Sequence, residues 1–312
     1  MRRRHDPLDI HAAMPFTGTY FPLGFRLDLE SNSRDAIEAA AESWRGERQE
    51  YETEPLRMRV MVRPEGDLSQ PGAHRISGHL YSVVSDRENF AQVDLQSLTA
   101  AINVSQKTAS DHSWLRWFFV ESLAYLMLSQ RHIAMMHSAL VARDGRGVML
   151  SGGSTAGKST LAYACCRAGW TFLSDDTSCL LLASEEPIAL GRPRRIRFRP
   201  DATRHFPELD RFTARARPTG KIAIEVDPAE LGVATADRAR VETVAFLERG
   251  TGAPCARRIS GDEMIERLLA GMPLYGEVDE MHERAVGRLA PATALVLRYE
   301  SIEDGVKLLS AL

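Results

Sequence analysis

The fold is decided by the stretch MLSGGSTAGKSTLAYACCRAGWTFLSDD, residues 149–176. Its pattern indicates an apolar strand, a glycine-rich turn that ends at Lys158 and Ser159, a helix, a second short strand and two aspartates. The segment GGSTAGKS, residues 152–159 and here called the glycine loop, satisfies the pattern GxxxxGK(S/T). Strand and helix flank it in the order that a phosphate-binding loop requires. The sequence therefore predicts such a loop at the edge of a sheet.

The glycine loop has the chemistry of a nucleotide site. Backbone N–H groups in such a turn point at phosphate oxygens, the helix N-terminus adds a positive dipole, and the lysine neutralises the outer phosphates. We expect Ser159 to place its hydroxyl on Mg²⁺ and Thr160 to reach an inner phosphate. The alternative is a glycine-rich turn that only caps a helix. The predicted nucleotide-binding residues are Gly152, Gly153, Ser154, Thr155, Ala156, Gly157, Lys158, Ser159 and Thr160.

Two adjacent carboxylates, Asp175 and Asp176, follow the apolar segment WTFLS. We expect them at the carboxyl end of a strand beside the glycine loop, within reach of the outer phosphates of a nucleotide. There one carboxylate can hold the metal, directly or through water, while the other accepts a proton from an attacking hydroxyl. The alternative is a capped turn. No DxxG or NKxD motif follows, so the spacing does not favour a switch GTPase.

Composition limits the class of protein. With 312 residues, 44% hydrophobic and 26% charged, the chain is long enough for one large or two medium soluble domains. A net charge of −3 argues against binding nucleic acid or a membrane surface over the whole chain. The basic start, residues 1–14, lacks the apolar run of a signal peptide, and the four cysteines have no CxxC spacing. We therefore expect a reduced, cytoplasmic protein.

The chain is predicted to have three parts. Residues 1–112 form a small α+β domain without a cluster of catalytic residue types, and residues 113–131 form a connecting helix capped by Ser113. Residues 132–312 alternate strands and helices, which predicts a sheet faced by helices. The fold class is therefore α/β, with the glycine loop in the second domain.

A basic cluster stands out in this acidic chain. Residues 191–221, here called the arginine segment, hold ten basic residues against three acidic ones. Alternation predicts Arg195, Arg197 and Arg199 on one face of a strand and apolar residues on the other. The arginines can clamp a phosphate or receive an acidic peptide. The alternative is a solvated edge strand that its charges protect from aggregation.

Residues 136–181 resemble the catalytic domain of HPr kinase/phosphorylase and its stand-alone relatives. The family pattern is a histidine before a strand, a GxSGxGKS loop, a helix, a short turn and an SDD or ADD motif. His137, the glycine loop and the pair Asp175 and Asp176 occupy those places. Two departures are visible: Thr155 stands where the family has a glycine, and the glycine-rich signature of the bifunctional enzymes is absent.

The resemblance implies a P-loop kinase domain of the HPr kinase/phosphoenolpyruvate carboxykinase-like type, preceded here by the small α+β domain. It implies transfer of a phosphoryl group from ATP, with Mg²⁺, to a serine or other hydroxyl of a peptide or protein. Carried over by position, Asp176 is the proton acceptor, Asp175 a metal or water partner, and His137 lies close to the carboxylates.

Two other functions stay open at this stage. The first is a nucleotide-binding sensor or scaffold that has lost the transfer chemistry, and the second is a kinase for a small molecule. The sequence does not name the phosphoryl acceptor, and it leaves the oligomeric state open, a homo-oligomer included.

Overall fold

The computed structural model describes residues 13–217, 220–272 and 280–312. The basic start of the chain, residues 1–12, lies outside the described residues. The chain divides into two compact units between Gln130 and Arg131. The structure is mixed α/β with several sheets, in agreement with the predicted fold class.

The first unit is built on a seven-stranded mixed sheet. Its strands are β1 (Phe16–Tyr20), β2 (Phe25–Ser31), β3 (Tyr51–Arg63), β4 (Ala73–Ser77), β5 (Leu80–Val84), β6 (Phe90–Asp94) and β7 (Thr99–Ser105). They lie in the order β1-β2-β3-β7-β6-β5-β4. Helix α1 (Arg34–Trp44) connects two parallel strands, β2 and β3. Ser33 caps this helix by accepting a hydrogen bond from the Asp35 N–H at 3.3 Å.

A helix lies where the apolar spacing predicts one, over residues 112–129, and its middle is π-helical. A short helix, α2 (Gln106–Ser110), precedes it, and α3 (His112–Trp114), a π-helical segment (Leu115–Glu121) and α4 (Ser122–Ser129) then follow one another without a break. The cap is Asp111, which accepts from the Trp114 N–H at 3.0 Å, and not Ser113, which lies inside α3. Apolar spacing could not distinguish the π-helical segment from an α-helix, because α and π turns bury nearly the same side chains.

The second unit is built on a nine-stranded sheet. Its strands are β8 (Ile133–Met136), β9 (Ser138–Arg143), β10 (Arg146–Ser151), β11 (Thr171–Ser174), β12 (Ser178–Leu181), β13 (Ile188–Leu190), β17 (Arg238–Arg249), β18 (Cys255–Arg258) and β19 (Thr293–Tyr299). A separate three-stranded sheet, in the order β14-β16-β15, consists of β14 (Ile196–Phe198), β15 (Arg215–Ala216) and β16 (Ile222–Val226).

Strand direction places several chain ends at one edge of the large sheet. Strand β10 lies between β9, to which it is antiparallel, and β17, to which it is parallel. Strand β11 pairs antiparallel with β9, so β11 and β10 run in the same direction. The carboxyl ends of β10, β11 and β17 and the amino end of β9 therefore meet at the same edge.

Helices cover both faces of this sheet. The helices of the unit are α5 (Lys158–Arg167), α6 (Gly261–Ala270), α7 (Glu280–Gly287) and α8 (Ile302–Ser310). Buried side chains of α5 and α8 join the core on one face, to which Ile196 and Phe198 of β14 also contribute. Buried side chains of α6 and α7 join the core on the other face. Short 3-10 helices lie at Pro22–Gly24, Pro200–Arg204, Pro207–Arg211 and Pro228–Leu231.

The cysteines differ in their surroundings. Cys165, Cys166 and Cys179 are buried, and burial raises the pKa of each thiol to about 12. Cys255, at the start of β18, is exposed. Among the described residues, no helix combines the length and the apolar character that crossing a membrane would take.

Candidate functional site

The glycine loop connects β10 to α5 at the sheet edge described above. Gly152, the residue after β10, leaves no room for a larger residue, because a Cβ atom there would lie 2.9 Å from the Ala156 Cβ. Gly157 has a φ of 90°, which puts the residue before the helix in the left-handed region that glycine adopts without strain. Helix α5 begins at Lys158, so its first backbone N–H groups have no carbonyl partner within the helix. The first turn of α5 therefore has backbone N–H groups without a helical partner beside the loop.

Lys158 is buried at the mouth of this loop. Its ammonium donates to the carbonyl oxygens of Gly152 at 2.8 Å and Gly153 at 3.2 Å. Burial lowers the pKa of Lys158, and the negative charge of Asp176 opposes that shift. The positive charge is thus held over the loop in a partly desolvated place, where its attraction for an anion is stronger than in water.

His137 lies between Lys158 and Asp176. It precedes β9, whose amino end stands at this edge between β10 and β11. Its Nε2 lies 3.0 Å from Lys158 Nζ, and its Nδ1 lies 3.5 Å from Asp176 Oδ1. Because an ammonium group can only donate, Nε2 is the acceptor and the ring proton lies on Nδ1, towards the carboxylate. The structure therefore brings together three of the residues that the sequence singles out.

The two aspartates point in different directions. Asp175 is 4% exposed, whereas the Asp176 side chain is 57% exposed. Asp175 Oδ2 accepts from the Arg197 N–H at 2.8 Å, and the Arg197 guanidinium lies 3.9 Å from Oδ1. Burial raises the pKa of Asp175, and the nearby charge of Arg197 lowers it by less. Asp176 is thus the carboxylate that a ligand can reach, and Asp175 is the one that the protein holds.

Ser159 connects the glycine loop to the aspartates. Its hydroxyl donates to the backbone carbonyl oxygen of Asp175 at 3.2 Å. This bond ties the first turn of α5 to the end of β11. The Ser159 oxygen keeps its lone pairs, so it can still accept a cation.

Thr155 adopts a φ of 77° and is exposed at the tip of the loop. A β-branched residue rarely takes this left-handed conformation, whereas glycine takes it freely. This conformation gives a physical reason for the glycine at this position in the family that the sequence resembles. In this chain the position is a threonine, and its backbone is strained.

The arginine segment lies beside Asp175. Ile196 and Phe198 are buried and Arg197 between them points the other way, as alternation predicts. Arg197 Nε lies 2.9 Å from Glu225 Oε1 on the neighbouring strand β16, and Arg217 Nε lies 3.4 Å from the same oxygen. Burial alone would raise the pKa of Glu225, but the charges of the surrounding arginines outweigh burial and lower that pKa. Arg197 is therefore shared between two carboxylates.

Sequence reasoning did not find the roles of Arg197 and Glu225. It identified the segment from its charge but chose no arginine, and it gave Glu225 no role. A usable signal was present, because one acidic residue on a strand directly after a segment of ten basic residues is an expected ion-pair partner.

Comparison with known proteins identifies similarity in parts of the chain. Residues 101–188 match the family model "SynChlorMet cassette protein ScmC", which spans His137, the glycine loop and both aspartates but less than a third of the chain. This is a different family from the one whose motifs the sequence resembles. No curated protein matches the chain.

One solved structure with similarity is the "Hpr(Ser) kinase/phosphatase from Coxiella burnetii". It is 14% identical, the similarity covers 57% of this chain and 88% of that one, and the TM-score is 0.30. At that TM-score the comparison supports no statement about function.

Proposed function

We propose that the chain is an ATP-dependent kinase that transfers a phosphoryl group to a serine or other hydroxyl of a peptide or protein. The observation that carries the proposal is that Lys158, His137 and Asp176 stand in one row beside the glycine loop, with contacts of 3.0 Å and 3.5 Å. A cation for the phosphates and a reachable carboxylate are the two groups that such a transfer needs most.

The donor groups at this edge fit Mg²⁺ and nucleotide phosphates. Mg²⁺ prefers oxygen ligands, and the Ser159 hydroxyl at the start of α5 offers one beside the loop, with further positions open to phosphate oxygens and water. The carboxylate of Asp175 is held by Arg197, so we assign it support of the turn or a water-mediated contact. When bound, Mg²⁺ supplies neutralisation of the charge on the outer phosphates.

The chain's own residues then have separate tasks. The loop N–H groups and Lys158 bind and orient the phosphates. Asp176 accepts the proton of the attacking hydroxyl. The oxygen of that hydroxyl forms a bond to the γ-phosphorus. The bond between the γ-phosphorus and the β,γ-bridging oxygen breaks, and ADP leaves. His137 lies between Asp176 and Lys158, contacts both side chains and so fixes their relative positions.

The test is a transfer assay with labelled ATP and Mg²⁺ against serine-containing peptides, small hydroxyl compounds and water. Lys158→Met and Asp176→Asn should each lower the rate by orders of magnitude, because this chemistry depends on charge neutralisation and positioning. Asp144→Asn is the matched control, since Asp144 lies in the β9–β10 turn with its side chain 90% exposed. Undiminished transfer by Lys158→Met or Asp176→Asn would contradict the assigned roles.

A second candidate function is a nucleotide-binding sensor without transfer chemistry. It is favoured by the burial of Asp175 against Arg197, which leaves one carboxylate of the pair open, and by the strained backbone of Thr155. Nucleotide binding without product on any acceptor in the same assay would support it. A phosphorylated product would exclude it, and the nature of the acceptor would separate a protein kinase from a small-molecule kinase.

A further inference from the structure

The second flank of the glycine loop is formed by the carboxyl ends of two strands. Strand β17 is parallel to β10 and lies on the side away from β9 and β11. Strand β19 is parallel to β17, with Arg249 opposite Tyr299 in register. Asp175 and Asp176 follow β11 on one flank of the loop, and Arg249 and Tyr299 end the strands on the other flank.

Arg249 and Tyr299 share the sheet face that carries α5. Leu247, two residues before Arg249, belongs to the core on the α5 side, as does Tyr299. The next pair in register, Glu248 and Arg298, points to the opposite face, because successive side chains of a strand alternate. The sheet thus presents one arginine to the glycine loop and a second arginine, one position away, to the other side.

Arg249 and Tyr299 converge on Gly157. A Cβ atom on Gly157 would lie 3.4 Å from Arg249 Cδ, 3.7 Å from the Tyr299 hydroxyl and 4.0 Å from an Arg249 guanidinium nitrogen. Arg249 is exposed, and its guanidinium donates to the Glu300 carbonyl oxygen at 3.3 Å, which orients it at the sheet edge.

Tyr299 provides an independent sign that a polar ligand group belongs here. The residue is 1% exposed, and its hydroxyl makes no hydrogen bond to any described residue. Buried hydroxyls are rarely left unpaired, so the Tyr299 hydroxyl, 3.7 Å from the Cβ position of Gly157, is placed to take a partner from a ligand or a water at the loop.

We propose that Arg249 binds the nucleoside end of the nucleotide by stacking its guanidinium plane on the base. This inference rests on the proposed function, because the outer phosphate must point at Asp176. Since Asp176 and Arg249 lie on opposite flanks of the loop, a phosphate chain that points its outer end at Asp176 directs its inner end, and the nucleoside, over β17 and β19. A planar guanidinium binds an aromatic face well, and a lysine ammonium does not replace it there.

The experiment compares binding of ATP and of inorganic tripolyphosphate, with Mg²⁺, by titration calorimetry on the full chain. Arg249→Ala should weaken ATP binding about tenfold, because it removes a cation stacked on the base, and should weaken tripolyphosphate binding by less, through the lost charge alone. Arg249→Lys should behave like Arg249→Ala, and GTP should be affected as ATP is, since stacking tolerates either purine. Lys158→Met should weaken both ligands.

The matched control is Arg298→Ala, which removes the same charge from the neighbouring register position on the opposite face. ATP affinity that is unchanged in Arg249→Ala, or lowered equally for ATP and tripolyphosphate, would overturn the stacking role. Wild-type chain that binds neither ligand would instead contradict the proposed function, and this inference with it.

Discussion

Thr155 holds a backbone conformation that costs an L-residue roughly 1–2 kcal/mol. Its side chain is exposed at the tip of the glycine loop, so no packing explains the choice of threonine. Nothing else in the structure explains it either. In the proposed function this loop presents its N–H groups to phosphate, and strained backbone is common at functional sites.

Replacing Thr155 with glycine should therefore stabilise the protein. We expect Thr155→Gly to raise the free energy of unfolding by about 0.5–1 kcal/mol, after the entropy that glycine loses on folding is subtracted. Thr155→Ala is the control, because alanine keeps the Cβ atom and most of the strain. Denaturant unfolding of the three proteins gives the comparison, and a Thr155→Gly protein less stable than Thr155→Ala would contradict it.

The contributions of Asp175 and Glu225 to the free energy of unfolding should change with pH in opposite directions. The folded-state pKa of Asp175 is raised above its ordinary value of 3.8, so the folded chain retains a proton that the unfolded chain loses. The contribution of this group to the free energy of unfolding therefore falls as the pH rises from about 4 and is constant above the folded-state pKa. The pKa of Glu225 is lowered from 4.5, so its contribution is present above that pH and is lost as the pH falls through the folded-state pKa.

Variants separate these two contributions. Relative to wild type, Asp175→Asn should become more stable as the pH rises from 4 towards neutrality, and Glu225→Gln should become less stable as the pH rises from 3 to 5. Urea unfolding at several pH values measures both slopes. Slopes of the same sign for the two variants would show that burial and the arginines do not act on these carboxylates as described.

At the scale of elements, strand β14 matters because it brings Arg197 between Asp175 and Glu225. The strand is only three residues long, and its two apolar side chains anchor it in the core next to α5. A side chain on so short an element is positioned by its neighbours on both sides. The β14-β16-β15 sheet is therefore a support for the end of β11 as much as a charged surface.

Removing Arg197 should destabilise the second unit. Arg197→Met removes the guanidinium from Asp175 and Glu225, while the backbone N–H still serves Asp175 and Arg217 still serves Glu225. Because the ion pair is partly exposed, we expect a loss of about 1–3 kcal/mol, as for a hydrogen bond to a charged group. Arg199→Met is the control, since Arg199 is exposed on the same segment. Thermal unfolding should show a lower melting temperature for Arg197→Met alone, and equal losses in the two variants would contradict a specific role for Arg197.

The sequence predicted local elements better than their partners. Helix α1 with its Ser33 cap and the strands around the glycine loop follow from periodicity and capping chemistry, which act over a few residues. The π-helical segment Leu115–Glu121 and strand β7 were not predicted, because the hydrophobic pattern does not distinguish α from π turns and because strand pairing depends on contacts distant in the chain. For the same reason the motif indicated both aspartates but could not show that Asp175 is buried against Arg197.

At the scale of the molecule, the second unit has two core clusters of its own. Both core clusters of the second unit consist of residues that follow Gln130 in the chain. A fragment of residues 131–312 should therefore fold alone, with a single cooperative unfolding transition. Circular dichroism with thermal melting tests this, and a fragment that aggregates or melts without a transition would show that the second unit needs the first.

The different burial of the four cysteines makes the folded chain selective towards thiol reagents. A thiolate is the reacting species, so the buried thiols, whose pKa is raised to about 12, should resist a maleimide at neutral pH while Cys255 reacts. A thiol titration should count one group in the native protein and four in urea, and more than one in the native state would contradict the burial. Cys255 lies opposite Arg298 on the strand beside β19. A fluorescent dye attached there would stand next to the sheet edge that ends in Arg249, and it would provide an optical reporter of ligand binding without any engineered cysteine.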